Sequence, residues 1–489
     1  MIFTLPESVT VVIGVVAIVL DVAIRVLSLV FVPRNRRPQT ALAWLLLIFF
    51  QPYIGIILFL MFGRARLPRN RRRRQREVSD YIIETTEGFD KVKRDPPWPS
   101  WLEPIVELNR KLGSMPLVGG NAARMWADNQ VSLDEMIADI HLAEKTIHVE
   151  FYILSLDDTT APFFDALEAA HNRGVGVRVL LDHLGNFPYP GYRRTIRRLK
   201  AMGVRWHLML PFQPWRFLIQ RPDLRNHRKL LVIDGEIAYT GSQNIIETPY
   251  QKRSNRRRGL HWKDYMARFE GPVVAGLDAL FLTDWYSETG DLLEREAAPA
   301  RKTGDGTLDC QVVPSGPGFP GENNLRMFNS LVYAAQERII LVSPYFVPDD
   351  SMLYAITTAA QSGLDVQLFV SEIGDQFFVF HAQRSYYEQL LRAGVRIFRY
   401  EKPTILHAKH FTIDDQVSVI GSSNLDMRSF TLDLEISVMV HGGSFLNELR
   451  ALEDDYRAHS TELTLAEWMS RPLYRRILDH VARLTAALG

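Results

Sequence analysis

One six-residue pattern occurs twice in this chain, 180 positions apart, and it limits the fold more than any other feature. His227, Lys229, Asp234, Gly241, Ser242 and Asn244 recur at the same offsets as His407, Lys409, Asp414, Gly421, Ser422 and Asn424. A lone His-x-Lys-x4-Asp string arises by chance in a chain of 489 residues with odds of about a few per cent. Two copies with matching Gly-Ser-x-Asn tails point to duplication, and hence to two halves related by a pseudo-twofold axis.

The flanking sequence repeats as well. Residues 143–154 and 336–347 each run from the end of a helix into an apolar strand, and Gly203-Val204-Arg205 answers Gly394-Val395-Arg396 just before each cassette. Strands alternating with helices of about a dozen residues imply an α/β fold with a mixed sheet flanked by helices in each lobe. The lobes are placed at 109–300 and 301–489. The Gly- and Pro-rich loop 314–324 is expected to join the halves, and its glycines match no nucleotide-binding fingerprint.

Each cassette reads as a β-hairpin. With Gly235 and Glu236 as a two-residue loop, Lys229 faces Ser242 and His227 faces Asn244; Asp415 and Gln416 set Lys409 against Ser422 and His407 against Asn424. Imidazole, ammonium, hydroxyl and amide then share one patch in each lobe, suited to a phosphodiester. Asp234 lies seven positions from His227, roughly 23 Å away in an extended strand, so Asp234 and Asp414 enter the cassettes as turn and scaffold residues. Symmetry would bring the two patches together as one site.

With these motifs on the page, the chain resembles the phospholipase D superfamily, whose signature is this pair, and within it bacterial membrane-anchored cardiolipin synthases. Pro344-Tyr345-Phe346-Val347-Pro348-Asp349-Asp350, Asn424-Leu425-Asp426-Met427-Arg428-Ser429 and Glu270-Gly271-Pro272-Val273 carry the likeness further, with the N-terminal apolar pair. The resemblance implies transfer of a phosphatidyl group between two phosphatidylglycerol molecules through a phosphohistidine. It also implies that His227 attacks and His407 serves as general acid and base. A membrane-anchored hydrolase using water, and a membrane-tethered nuclease using the Arg253, Arg256, Arg257, Arg258 cluster, stay open as alternatives; nucleic acid is not the expected partner.

Each His needs an acceptor for its second ring nitrogen. Glu435 stands 28 residues after His407, where relatives place such a carboxylate, and Asp264 is its shifted counterpart in the first half. No cofactor is implied, and no metal is expected, since His407 and His410 face opposite sides of a strand. A single cysteine, Cys310, excludes an internal disulfide and a thiolate cage.

The net charge of +1 hides a polarised N-terminal region. Residues 9–32 and 41–63 are apolar runs that each reach roughly 35 Å as helices, so residues 1–66 are expected to form a multi-pass transmembrane hairpin, which the resemblance places in a bacterial inner membrane. Asp21 and Arg25 form an i, i+4 pair in the first run. A basic segment and linker, 67–108, follows. Arginines at 64, 66, 69, 71–74 and 76 outnumber Arg34, Arg36 and Arg37 in the hairpin loop, which favours cytoplasmic lobes and contact with anionic lipids. Trp98 and Trp101 are assigned either to the lipid interface or to packing on the first lobe. The C-terminal residues 465–488 read as amphipathic helices closing the second lobe. Assembly into a homo-oligomer is left open.

Overall fold

The computed structural model describes residues 7–34, 36–63, 67–88, 98–213, 218–219, 221–293 and 306–486. It divides into two compact units, Met1–Arg66 and Leu67–Ala487. Arg64 and Arg66, the linker residues Asp95 to Pro97, and the 300/301 lobe boundary lie outside the described residues.

In the first unit, α1 (Glu7–Phe31) is the one helix among the described residues long and apolar enough to span a bilayer. Asp21 and Arg25 pair on it at 3.2 Å. The second apolar run does not form one helix long enough to span. It breaks into α2 (Pro38–Phe50) and α3 (Pro52–Phe62), which double back on each other: the Trp44 and Phe59 rings meet at 5.6 Å, and Arg36 Nη2 donates to Gly63 O at 2.6 Å. Pro52 is the cause, because it lacks the N–H a continuous helix needs and forces the preceding residue out of the helical region; Gln51 has φ −138°, ψ 77°. One candidate span is found among the described residues, and the second run reverses on itself at Pro52 where one continuous helix was expected. Gly55 permits it, since a Cβ there would lie 2.7 Å from the Ile48 backbone.

The second unit is built on one 16-stranded sheet rather than two separate ones: fifteen strands form a continuous path, and the two-residue Arg225–Asn226 pairs off it with Asp433–Leu434. The first lobe supplies β1 (Leu117–Trp126), β2 (Thr146–Phe151), β3 (Gly176–Asp182), β4 (Arg205–Met209), β5 (Lys229–Ile233), β6 (Ile237–Gly241) and β7 (Met266–Glu270). The second supplies β8 (Leu308–Ser315), β9 (Arg338–Val342), β10 (Asp365–Ser371), β11 (Arg396–Tyr400), β12 (His410–Ile413), β13 (Val417–Gly421), β14 (Asp433–His441) and β15 (Ser460–Leu463). Their spatial order, β15-β11-β10-β9-β12-β13-β14-β8-β1-β7-β6-β5-β2-β3-β4, is symmetric about the antiparallel β8–β1 junction apart from the extra edge strand β15. The expected duplication is thus present as two lobes zipped edge to edge. Loop 316–322 lies between β8 and the helix Asn323–Ala334, matching the turn after β1, so it sits inside the second lobe and does not join the halves.

Helices cover both faces. Val273–Thr289 packs across the sheet with Phe281 and Trp285 fully buried, each contributing about 1.5–3 kcal/mol of hydrophobic stabilisation. The basic segment is not a free tether. It forms the helix Arg69–Thr85 against Val273–Thr289, where Arg71 pairs with Glu288 and Arg74 donates to the carbonyls of Tyr286 and Ser287, while Arg69, Arg73 and Arg76 stay exposed. Trp98 and Trp101 pack against the second lobe's core rather than the first's, and Trp98 Nε1 donates to Asp309 of β8 at 2.7 Å.

Candidate active site

Each cassette hairpin is shifted by one residue from the expected register. Leu230 pairs with Thr240 and Ile233 with Ile237, which leaves three residues in the turn and places Lys229 across from Gly241 rather than Ser242; His410 opposite Ile420 and Ile413 opposite Val417 repeat the shift. The cause is the aspartate. Asp234 and Asp414 take left-handed φ values of 54° and 48° and leave the ladder. Asp234 then accepts backbone N–H bonds from Glu144, Lys145 and Thr146 at 2.7–2.8 Å, and Asp414 from Gln336, Glu337 and Arg338. Both stand at the end of the hairpin away from the histidines, tying the turn to a helix-to-strand junction.

The histidines are placed by the opposite lobe. Arg225–Asn226 adds a parallel pair to Asp433–Leu434 of β14, and His227 N–H donates to Leu434 O at 2.9 Å. In mirror fashion, His261–Lys263 pairs with Thr404–Leu406, and His407 N–H donates to Lys263 O at 2.8 Å. The carboxylates therefore cross over. His227 Nδ1 lies 3.0 Å from Glu435 Oε1 and 3.0 Å from Ser422 O, whereas His407 Nδ1 lies 2.7 Å from Asp264 Oδ1. Asp264 and Glu435 are equivalent in the sheet, each two residues before the partner of the cassette glycine: Met266 opposite Gly241, Ser437 opposite Gly421. A Cβ on Gly421 would meet Ile436 O at 2.1 Å, and one on Gly241 would meet Tyr265 O at 2.5 Å, so only glycine lets these strands close.

The serines and asparagines do not all point at a common patch. Ser422 Oγ donates to Glu435 and accepts from Ile436 N–H at 3.0 Å; Ser242 Oγ accepts from Tyr265 N–H at 3.1 Å, next to Asp264. Both serines brace the carboxylate strand. Asn244 Nδ2 donates to Tyr250 OH at 3.0 Å, while Asn424 Oδ1 is buried with no partner among the described residues. Lys229 and Lys409 each donate to the carbonyl of their own cassette histidine at 2.6 Å, and Lys409 Nζ also reaches His407 Nε2 at 3.1 Å. His410 turns to the other face, against Glu453 and the Tyr456 ring.

Sequence reasoning missed four side chains here. Tyr152 lies 4.8 Å from the His227 ring, with Lys229 Nζ 5.4 Å above its own ring; Tyr250 lies 6.2 Å from His407. Ser429 Oγ donates to Glu435 Oε1 at 2.7 Å, and Arg228, buried in the first cassette, donates Nε–H to Glu435 O at 3.1 Å. Laying the two repeats over each other would have flagged Tyr152 opposite Tyr345, since both follow the same apolar strand.

Burial sets the charges. It holds the His227 imidazole well below its usual range, helped by the Lys229 and Lys409 ammoniums, and it lowers His407 less, because Asp264 opposes the effect. Burial also pushes Glu435 up to about 7, Lys229 down to about 7 and Lys409 down to about 8. Asp264 goes the other way: burial works against its charge, but His407 and Lys409 more than offset this and keep it ionised. Both lysines act on both imidazoles, so the two cassettes form one electrostatic centre.

Two duplicated lobes joined around paired His/Lys cassettes define a phospholipase D-type phosphodiester-transfer enzyme. The family model described as "Cardiolipin synthase, PLD-like domain" matches residues 136–259 and 329–454, and "Phospholipase_D-nuclease N-terminal" matches 22–64. The chain is 34% identical to cardiolipin synthase A of Proteus mirabilis over 458 residues, covering 91% of this chain and 92% of the relative. It is 35% identical to cardiolipin synthase A of Serratia proteamaculans over 463 residues, covering 92% of each. The crystal structure of phosphatidylserine synthase from Haemophilus influenzae shares the fold, with a TM-score of 0.59 and 15% identity over 80% of this chain and 98% of that one. The chain belongs to the cardiolipin synthase family, and with its apolar N-terminal helix it is a membrane-associated phosphatidyltransferase.

Proposed function

We propose that this chain makes cardiolipin by moving a phosphatidyl group from one phosphatidylglycerol to the glycerol hydroxyl of another, releasing glycerol, and that a phosphohistidine carries the group. The observation that supports this best is the crossed pair of buried imidazoles, in a chain that matches cardiolipin synthase A over nine-tenths of its length.

The partner atoms support a division of roles. Ser422 O can only accept, so His227 carries its proton on Nδ1 and presents the Nε2 lone pair. All described hydrogen bonds of this ring fall on Nδ1. Neutral at physiological pH, His227 attacks phosphorus through Nε2; the P–O bond to the glycerol group breaks, and His407 gives its Nε2 proton to the leaving alkoxide. Ionised Asp264 on Nδ1 supports the imidazolium form of His407 that this step requires. Next, His407 takes the proton from the glycerol hydroxyl of a second phosphatidylglycerol, whose oxygen attacks phosphorus and frees His227. Lys229 and Lys409 neutralise the non-bridging oxygens, and Asn244 and Asn424 flank them. Asp234 and Asp414 hold the hairpins without touching substrate, and Ser242 and Ser422 act through the carboxylate strands. The catalytic body is assigned to the cytoplasmic side of a bacterial cell membrane, with exposed Arg69, Arg73 and Arg76 facing anionic lipid.

Purified full-length protein given labelled phosphatidylglycerol should yield cardiolipin and glycerol in equal amounts. Phosphatidic acid as the sole product would make the enzyme a hydrolase, and activity confined to oligonucleotides would overturn the lipid reading.

A further inference from the structure

The loops after β3 and β10, equivalent strands of the two lobes, converge on the catalytic centre and end in exposed phenylalanines. In the first lobe, Gly185 lies so close to the Tyr152 ring beside His227 that a Cβ would meet it at 2.4 Å, and Phe187, two residues on, is 62% exposed. In the second lobe, Tyr345 OH lies 2.9 Å from Asp375 Oδ1 and accepts from Gln376 Nε2 at 3.0 Å; Phe377 and Phe378 follow, 58% and 62% exposed. Ile373 of this second loop packs in one apolar cluster with Tyr152, Tyr189 and Tyr250. Aromatic prongs thus stand on both sides of the same rim.

The surface continues beyond the rim. The helix Phe377–Arg384 is clamped to the C-terminal helix Leu473–Ala486 by His381 Nδ1 on Asp479 Oδ1 at 2.7 Å. That helix buries Asp479 and Ala482 on one face. Its other face carries Leu473, Ile477, Val481 and Leu484, all exposed and spaced as one stripe, with exposed Arg475 and His480 alongside. The sequence expectation that this region closes the second lobe covers only the first of these faces. An apolar stripe with the Arg475 cation alongside, joined to aromatics around a site that must take a phosphodiester from lipid, matches the chemistry of the bilayer interface.

We propose that Phe187, Phe377 and Phe378, together with the exposed stripe of the helix Leu473–Ala486, enter the interfacial region of an anionic bilayer and seat the rim of the active site on the headgroups. This rests on the reading that the substrate is a membrane phospholipid. Cys310 is fully buried, so Phe377→Cys in the full chain offers one reactive thiol for an environment-sensitive fluorophore. In vesicles of phosphatidylglycerol and phosphatidylcholine, the label should shift to the blue and be quenched by nitroxide placed near the headgroups. A label at Asp415→Cys, on the hairpin turn at the far end from His407, should instead be quenched by aqueous iodide. Equal iodide quenching at both positions would overturn the proposal, as would protection of the Phe377→Cys label that rises with protein concentration in detergent, the mark of a second copy.

A variant with Phe187, Phe377 and Phe378 all changed to Ser should raise KM, expressed as surface concentration, about tenfold with kcat kept. On monomeric short-chain phosphatidylglycerol it should match the wild type. Equal losses on both substrates would show that these rings shape the site and do not dock it. Absence of transfer by the wild type on every lipid would defeat the functional reading instead, and the quenching result would still decide the docking.

Discussion

Around His227 the partner carboxylate, Glu435, takes hydroxyl bonds from Ser422 and Ser429 and is pushed up to about 7; around His407 the partner, Asp264, stays ionised. The backbone plan is the same on both sides: a short parallel pairing with the other lobe, a glycine closing on the carboxylate strand, and a serine clamping the residue after it. What differs is how readily the carboxyl loses its proton. Duplication supplies two equal frames, and in the proposed mechanism the surroundings of one buried carboxyl in each set one imidazole as nucleophile and the other as proton carrier.

The comparison breaks most severely at His407. His407→Ala should lower turnover by about 10³–10⁴-fold with lipid binding largely kept, measured as kcat on mixed vesicles. Equal turnover with and without this ring would remove the acid and base from the account. The carboxylates sharpen it further. Asp264→Asn should cost about 10²-fold in kcat at pH 7, because the imidazolium loses its counter-charge, while Glu435→Gln should cost about tenfold, because Glu435 is already half protonated there. A larger loss at Glu435 than at Asp264 would reverse the roles of the two half-sites.

A pH profile is the next test. Lys229 and Lys409, held near 7 and 8, are ammonium below those values and amine above, so kcat/KM should begin to fall as pH rises past about 7, up to about tenfold per unit, and more steeply past about 8. His227, held well below its ordinary value, stays unprotonated down the acid side, so no loss should begin near 6.5. An acid limb centred at 6.5 or above would contradict a neutral nucleophile. The smallest effect belongs to the turns: Asp234→Ala removes three backbone bonds to a carboxylate and should lower stability by about 2 kcal/mol with kcat nearly unchanged, read from denaturant titration beside activity.

The cassettes, the duplication and the α/β lobes were legible because they rest on exact residue spacing, whereas Asp264, 37 residues after His227 where Glu435 is 28 after His407, breaks that spacing and was found from its local sequence alone. The crossing of the carboxylates was not, since it depends on two-residue parallel pairings between lobes, Arg225–Asn226 with Asp433–Leu434 and its mirror, too short to leave a hydrophobic period. Hairpin register failed by one residue because Asp-Gly was taken to place its turn after the aspartate, whereas tertiary N–H donors draw the aspartate into it. The reversal within the second apolar run was not legible, because length and hydropathy do not register the break at Pro52 when the flanking helices remain apolar.

Trapping the covalent intermediate tests the central claim most directly. With phosphatidylglycerol labelled in its phosphate, the wild-type protein quenched in base during turnover and digested should carry an acid-labile phosphoryl group on the peptide containing His227, and His227→Ala should carry none. Label retained in His227→Ala, or found on the peptide containing His407, would contradict the assignment.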